Sequence, residues 1–247
     1  MNLPTRDRPR PLRDGLASGG RRRFKCENAT TPAHARYRRW QGGCGKTTTA
    51  LGLAAALARD GRRPLVADAD CDMPNLHTMA EVARHPGVGA VDRGDSVARA
   101  THRSDVVPGV DVLPAGSASG PIGETALRRL TRAPQQVILD CPAGATDATA
   151  APLRRADAAL VVSTPDRASL SDAVKTARMA DALDTAVLGS AITRSPSQSP
   201  LAPDTDAARA LEPVLTTVPP TDGAVLRSRI GRTSYDRLAT ALARRNL

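Results

Sequence analysis

The sequence predicts an α/β fold: a doubly wound, mostly parallel sheet flanked by helices. Two observations carry this. Along residues 42–247, apolar runs of strand length alternate with helical segments, the pattern of strands joined by crossover helices. Most of these runs are continuously apolar rather than alternating, as expected of strands covered on both faces. The length agrees, since 247 residues suit one such domain with a sizeable core.

The elements follow in order. Residues 46–59 form the first helix, with Leu51, Ala54, Ala55 and Leu57 mainly on one side. Strands are expected at 64–68, 110–113, 136–140, 158–163, 187–192 and 214–218, where Val, Leu, Ile and Ala predominate. Helices are expected at 122–131, 168–183 and 206–211. A last helix at 233–244 places Tyr235, Leu238, Ala239, Leu242 and Ala243 at helical spacing. With so few bulky apolar anchors it reads as a helix closing on the sheet, and membrane binding through it is not expected.

Charge divides the chain at residue 41. The net charge is +10, yet residues 1–41 hold 11 Lys/Arg against 3 Asp/Glu, and residues 42–247 hold 24 against 22. Residues 1–41 are a basic segment without helical or strand periodicity and are expected to be disordered. Residues 42–247 form the folded domain. A basic tail of this kind also fits a nucleic acid or an acidic surface as partner. With 40% apolar and 24% charged residues, wholesale disorder is excluded. No charge-free apolar run reaches 18 residues and the N-terminus lacks an apolar signal core, so neither a membrane span nor a secretory signal is expected. Cys26, Cys44, Cys71 and Cys141 show no CxxC spacing, so the cytoplasm is the expected compartment. His77, His85 and His102 lack ligand spacing and are expected in loops.

Gly42-Gly43-Cys44-Gly45-Lys46-Thr47-Thr48 opens the first helix directly. Glycines let backbone N–H groups curl around phosphate oxygens, and the helix N-terminus adds a favourable dipole. Lys46 would reach the β- and γ-phosphates, and the Thr47 hydroxyl would ligate Mg²⁺. Two further loops carry carboxylates at strand ends: Asp68-Ala69-Asp70-Cys71-Asp72-Met73-Pro74-Asn75-Leu76, and Asp140-Cys141-Pro142-Ala143-Gly144. In a doubly wound sheet both open onto the crevice that holds the phosphate loop.

These three motifs, in this order, resemble the MinD/ParA group of deviant Walker A ATPases, a P-loop NTPase-like fold, over residues 41–235. Residues 156–183 resemble the segment after the switch II strand of MinD-like proteins, and the wording of 161–173 favours the MinD side. The resemblance implies ATP and Mg²⁺ as cofactors, with Lys46 and Thr47 on phosphate and metal. Asp70 would position the attacking water, Asp140 would hold Mg²⁺ through water, and Gly144 would sense the γ-phosphate. Thr193 stands where the family contacts adenine, and Pro219 begins a loop resembling the one on the other side of the base. The family hydrolyses ATP slowly and uses it to drive a dimer, so this chain is expected to be an ATP-dependent homodimeric switch in spatial positioning, with an activator and cargo the sequence does not name.

The family pattern is Gly-Lys-Gly-Gly-x-Gly-Lys-Thr, and its first lysine reaches across the dimer to the partner's phosphate. Trp40 and Gln41 occupy the first two positions here, which weakens the expected dimer. The strand that should lead into the loop reads His34-Ala35-Arg36-Tyr37-Arg38-Arg39, and three arginines cannot fill a buried central strand. That first strand is therefore corrupted. One base lost from a G-run explains it: the shifted frame over residues 34–41 reads Met-Leu-Ala-Ile-Ala-Gly-Gly-Lys and joins Gly42 directly, leaving 1–33 upstream of the start. Taken as written, the chain is instead a catalytically silent nucleotide-binding regulatory protein, or a nucleic-acid binder through its basic tail.

Overall fold

The computed structural model describes residues 43–198, 200–221 and 224–245, all within one unit, Gln41–Leu247. Gly42, Trp40, Gln41, Cys26, the corrupted strand and the basic segment lie outside them.

The described residues begin with α1 (Lys46–Arg59) and β1 (Pro64–Asp68). Three short helices follow: α2 (Leu76–Met79), α3 (Val88–Asp92) and α4 (Val97–Ala100). Next come β2 (His102–Arg103), β3 (Asp111–Leu113), α5 (Glu124–Leu130), β4 (Gln136–Asp140) and α6 (Asp147–Leu153). The remainder is β5 (Ala158–Ser163), α7 (Arg167–Ala182), β6 (Ala186–Thr193), α8 (Asp206–Leu211), β7 (Val214–Val218) and α9 (Arg229–Ala243).

The strands form two sets. One runs β2-β3-β1-β4, parallel except for the antiparallel β2 edge, and the other runs β5-β6-β7, parallel throughout. Parallel pairing of β1 with β4 places Asp68 directly beside Asp140. Residues 64–67 of β1 and 137–139 of β4 are apolar, and the register that pairs these runs also brings two carboxyls together.

Helix α1 is buried over most of its circumference. Leu51 and Ala54 face one cluster with Val66 and Val112, while Leu53, Ala56 and Leu57 face another with Leu238 and Leu242 of α9. The one-sided pattern expected for α1 is thus incomplete, because α9 covers what would otherwise be its solvent face. Contact is close: a Cβ on Gly52 would stand 2.3 Å from the Tyr235 ring. Helix α9 closes on the domain as expected, with Tyr235, Leu238, Ala239 and Leu242 buried.

Boundaries moved where caps decide them. Helix α9 starts at Arg229, four residues early, because the Ser228 hydroxyl accepts from Gly231 N–H at 2.9 Å. Helix α7 starts at Arg167 because Asp166 accepts from Ser169 N–H at 2.9 Å. His77 and His102 lie in α2 and β2 rather than in loops.

Candidate functional site

Gly45 is the N-cap of α1, in the left-handed region at φ 88°, which glycine adopts without strain. It contributes no side-chain cap, so the first-turn N–H groups, which have no intrahelical acceptors, point out of the helix end as free donors. The loop is braced from behind. Thr193, the last residue of β6, donates its hydroxyl to the Cys44 carbonyl at 2.7 Å. The Cys44 thiol donates to the Val162 carbonyl at 3.2 Å. Thr193 also packs on Gly45, where a Cβ would come within 3.3 Å of its side chain. Lys46 Nζ turns back over the loop, 3.9 Å from where a Cβ on Gly43 would stand.

The two carboxylate loops face this helix end. Asp68 and Asp140 are 0% and 3% exposed. Burial, reinforced by the neighbouring Asp140 charge, pushes the Asp68 carboxyl up to about 7. Burial also raises Asp140, to about 6, against the pull of the Thr47 hydroxyl and the Lys46 ammonium. Asp68 Oδ2 and Asp140 Oδ1 are buried without a hydrogen-bond partner. Hard oxygen donors left unsatisfied in this way beside the Thr47 hydroxyl suit Mg²⁺. The residues present therefore fit the metal.

Asp70 is half-buried and shapes its own loop. Its N–H donates to Asp68 Oδ1 and its Oδ1 accepts from Met73 N–H, both at 3.2 Å. Gly144 takes φ 81° with open space around its Cα, and its carbonyl accepts from the Thr149 hydroxyl at 2.7 Å. Pro219 is half-buried at the end of β7. Thr193 and Pro219 thus end neighbouring strands, but the Thr193 hydroxyl serves the phosphate loop.

The structure brings Gly43, Cys44, Gly45, Lys46, Thr47, Thr48, Asp70, Asp140, Gly144 and Thr193 to one end of the strands. Gly42 lies outside the described residues. Asp68 and Asn75 are further members that the motifs contained without assigning. Asn75 Oδ1 accepts from the Thr47 hydroxyl at 2.9 Å. The signal for Asn75 was its place on the same loop as Asp68 and Asp70. All three described cysteines are free thiols that donate to backbone carbonyls. Burial pushes Cys71 and Cys141 up to about 12, which disfavours their thiolates. Among the described residues no group of three or more His, Cys, Asp and Glu side chains is placed to hold a metal ion by itself, and no helix is long and apolar enough to cross a membrane.

Residues 40–228 match the CobQ/CobB/MinD/ParA nucleotide binding domain. An ATP-binding protein of Methanocaldococcus jannaschii is 32% identical over 170 residues, covering 64% of this chain and 63% of that protein. The septum site-determining protein MinD of Synechocystis is 28% identical over 153 residues, covering 58% of each. The chain thus spans less than two thirds of the length of these relatives. Among solved structures, MinD of Pyrococcus horikoshii in complex with Mg-ADP superposes with a TM-score of 0.67 at 22% identity, covering 83% of this chain and 93% of that one.

Proposed function

The chain belongs to the CobQ/CobB/MinD/ParA nucleotide-binding domain family, and on that premise we propose that it binds Mg-ATP and works as a slow ATPase whose nucleotide state drives a homodimeric, cytoplasmic positioning switch. The observation that carries this is the pair Asp68 and Asp140, buried side by side at the open N-terminus of α1.

Phosphoryl transfer needs positioning and charge neutralisation more than covalent chemistry. The first-turn N–H groups and Lys46 hold the β- and γ-phosphates. Asp140 and the Thr47 hydroxyl would hold the metal, Thr47 giving up its bond to Asn75. Mg²⁺, when bound, offsets the phosphate charge and relieves the carboxylate repulsion. Asp70 orients water for in-line attack. Gly144, free to change backbone conformation, lets its loop follow the γ-phosphate and turn nucleotide state into surface shape. Thr193 braces the loop, and Pro219 supplies an apolar wall for the base.

One feature favours a second reading. Gln41 stands where the family places a bridging lysine, so the chain as written would bind nucleotide without dimer-dependent hydrolysis. Calorimetry with Mg-ATP on the full chain and on Lys46→Ala tests binding, and phosphate release tests turnover. Equal affinity in both proteins, or none in either, overturns the proposal. Binding without phosphate release selects the silent reading.

A further inference from the structure

Four of the helices are capped by the side chain of the residue before them. Ser96, Asp166, Thr205 and Ser228 each accept from the N–H three positions on, and each stands at a ψ between 147° and 160°, the extended geometry of such caps. Asparagine caps as well as any of these residue types, and Asn75 holds the same position ahead of α2. Yet Asn75 does not cap. It stands at φ −131° and ψ −8°, and its side chain makes no bond to its own helix. Its Oδ1 accepts instead from the Thr47 hydroxyl of α1 at 2.9 Å, 28 residues away.

Two donors thus compete for one oxygen. The Thr47 hydroxyl holds it here, and the Thr78 N–H of α2, a first-turn group without an intrahelical acceptor, is the one a cap would serve. Both cannot be served at this backbone geometry. Turning Asn75 from ψ −8° into the range of the four capped helices re-aims the peptide that joins it to Leu76. Leu76 is fully buried and packs in one cluster with Ala50 and Leu51 of α1, so α2 is the fixed side of that turn. The moving side is the loop before it, where Met73 is 78% exposed and packing does not resist a swing. Asp70 belongs to the same stretch, tied to it through the Met73 N–H.

We propose that Asn75 is a two-position latch on the carboxylate loop. In the metal-free site it holds the Thr47 hydroxyl. When Thr47 turns to the metal, Asn75 turns to cap α2 at the Thr78 N–H, and residues 70–74 move with it. One hydrogen bond replaces another, so Thr47 is released at little net cost. The latch rests on the nucleotide reading above and adds an order of events to it: the loop that carries Asp70 is set only after Thr47 has been claimed, so the water-orienting carboxylate is placed last. Asn75 acts through Thr47 and Asp70 and is a positioning residue.

The test follows amide shifts and amide exchange by NMR on the full chain, with the β,γ-imido analogue of ATP in EDTA and then in Mg²⁺. Exchange at the Thr78 N–H should slow at least about threefold on going from EDTA to Mg²⁺. Asn75→Ala should abolish that slowing, and Asn75→Asp, which keeps an acceptor oxygen, should retain it. Asn75 is exposed, so neither variant disturbs the core. The Gly45 and Lys46 amide shifts report binding itself. If they move while Thr78 exchanges equally in EDTA and Mg²⁺, the latch is overturned and the nucleotide reading stands. Slowing that survives Asn75→Ala also overturns the latch, because an Asn75 that only shapes its loop would leave the metal response intact. If the Gly45 and Lys46 shifts do not move in either condition, the nucleotide reading has failed and the latch falls with it.

Discussion

Replacing Asp68 by Asn should stabilise the nucleotide-free protein at alkaline pH. The carboxyl is fully buried and stands beside Asp140. Burial first, and the Asp140 charge second, lift it from an ordinary 3.8 to about 7. An acid raised on folding holds its proton more tightly in the native state than in the unfolded one. Between about pH 4 and 7 the native state therefore carries more protons, and stability falls as pH rises. At about 1.4 kcal/mol per tenfold change in proton affinity, holding Asp68 ionised at pH 8 costs about 4 kcal/mol. Asn keeps the acceptor for the Asp70 N–H and removes the charge, so most of that is recovered. For a domain of this size, about 3 °C per kcal/mol makes the gain in Tm about 10 °C. Scanning calorimetry of both proteins from pH 4 to 9, without Mg²⁺ or nucleotide, should show melting curves that converge near pH 4, separate progressively up to about pH 7 and keep a constant gap above it. Equal Tm at pH 8, or a gap that widens on acidification, would refute the reasoning.

Three other outcomes are expected. Mg²⁺-dependent ATP affinity, followed by calorimetry, should rise with pH through about 6 as Asp140 ionises, and Asp140→Asn should flatten that rise. Gly52→Ala gains about 1 kcal/mol of helix propensity but drives a methyl to 2.3 Å from the Tyr235 ring; overpacking of about 3 kcal/mol should win, lowering the urea midpoint. Arg59→Ala breaks an ion pair with Asp236 at 2.5 Å whose partners are 42% and 51% exposed, and urea unfolding should register less than about 1 kcal/mol.

Most of the strands were legible because their code is local. Residues 64–67 are apolar throughout, and only a strand buried on both faces needs that. The carboxylate loops were legible for the same reason, since Asp68 and Asp140 interrupt those runs at their carboxyl ends. What the sequence hid depends on contacts distant in the chain. Helices α2 to α4 are four or five residues long, too short to show a period. Helix α6 contains Pro152 and carries one leucine. The burial of Leu53 on α1 follows from α9, nearly 190 positions later. Similarly, nothing local announces that the Thr193 hydroxyl braces Cys44, because the pair is 149 residues apart.

The division of the described strands into two sets bears on the site itself. In a doubly wound sheet the ligand crevice lies where the strand order reverses. Here β1 and β4 deliver Asp68 and Asp140 from one side, while β5 and β6 deliver the Val162 and Thr193 contacts from the other. The phosphate loop spans the two sets: the Cys44 thiol to Val162 and Thr193 to Cys44 brace it from the β5–β6 side, and the Thr47 hydroxyl reaches Asn75 on the β1 side. Toward β4 it presents Lys46 and Thr47 to Asp140, whose charge in turn acts on Asp68. Removing a brace, as in Thr193→Val, should therefore weaken Mg-ATP binding; calorimetry checks this, and unchanged affinity would show that the loop and α1 alone hold the site in shape.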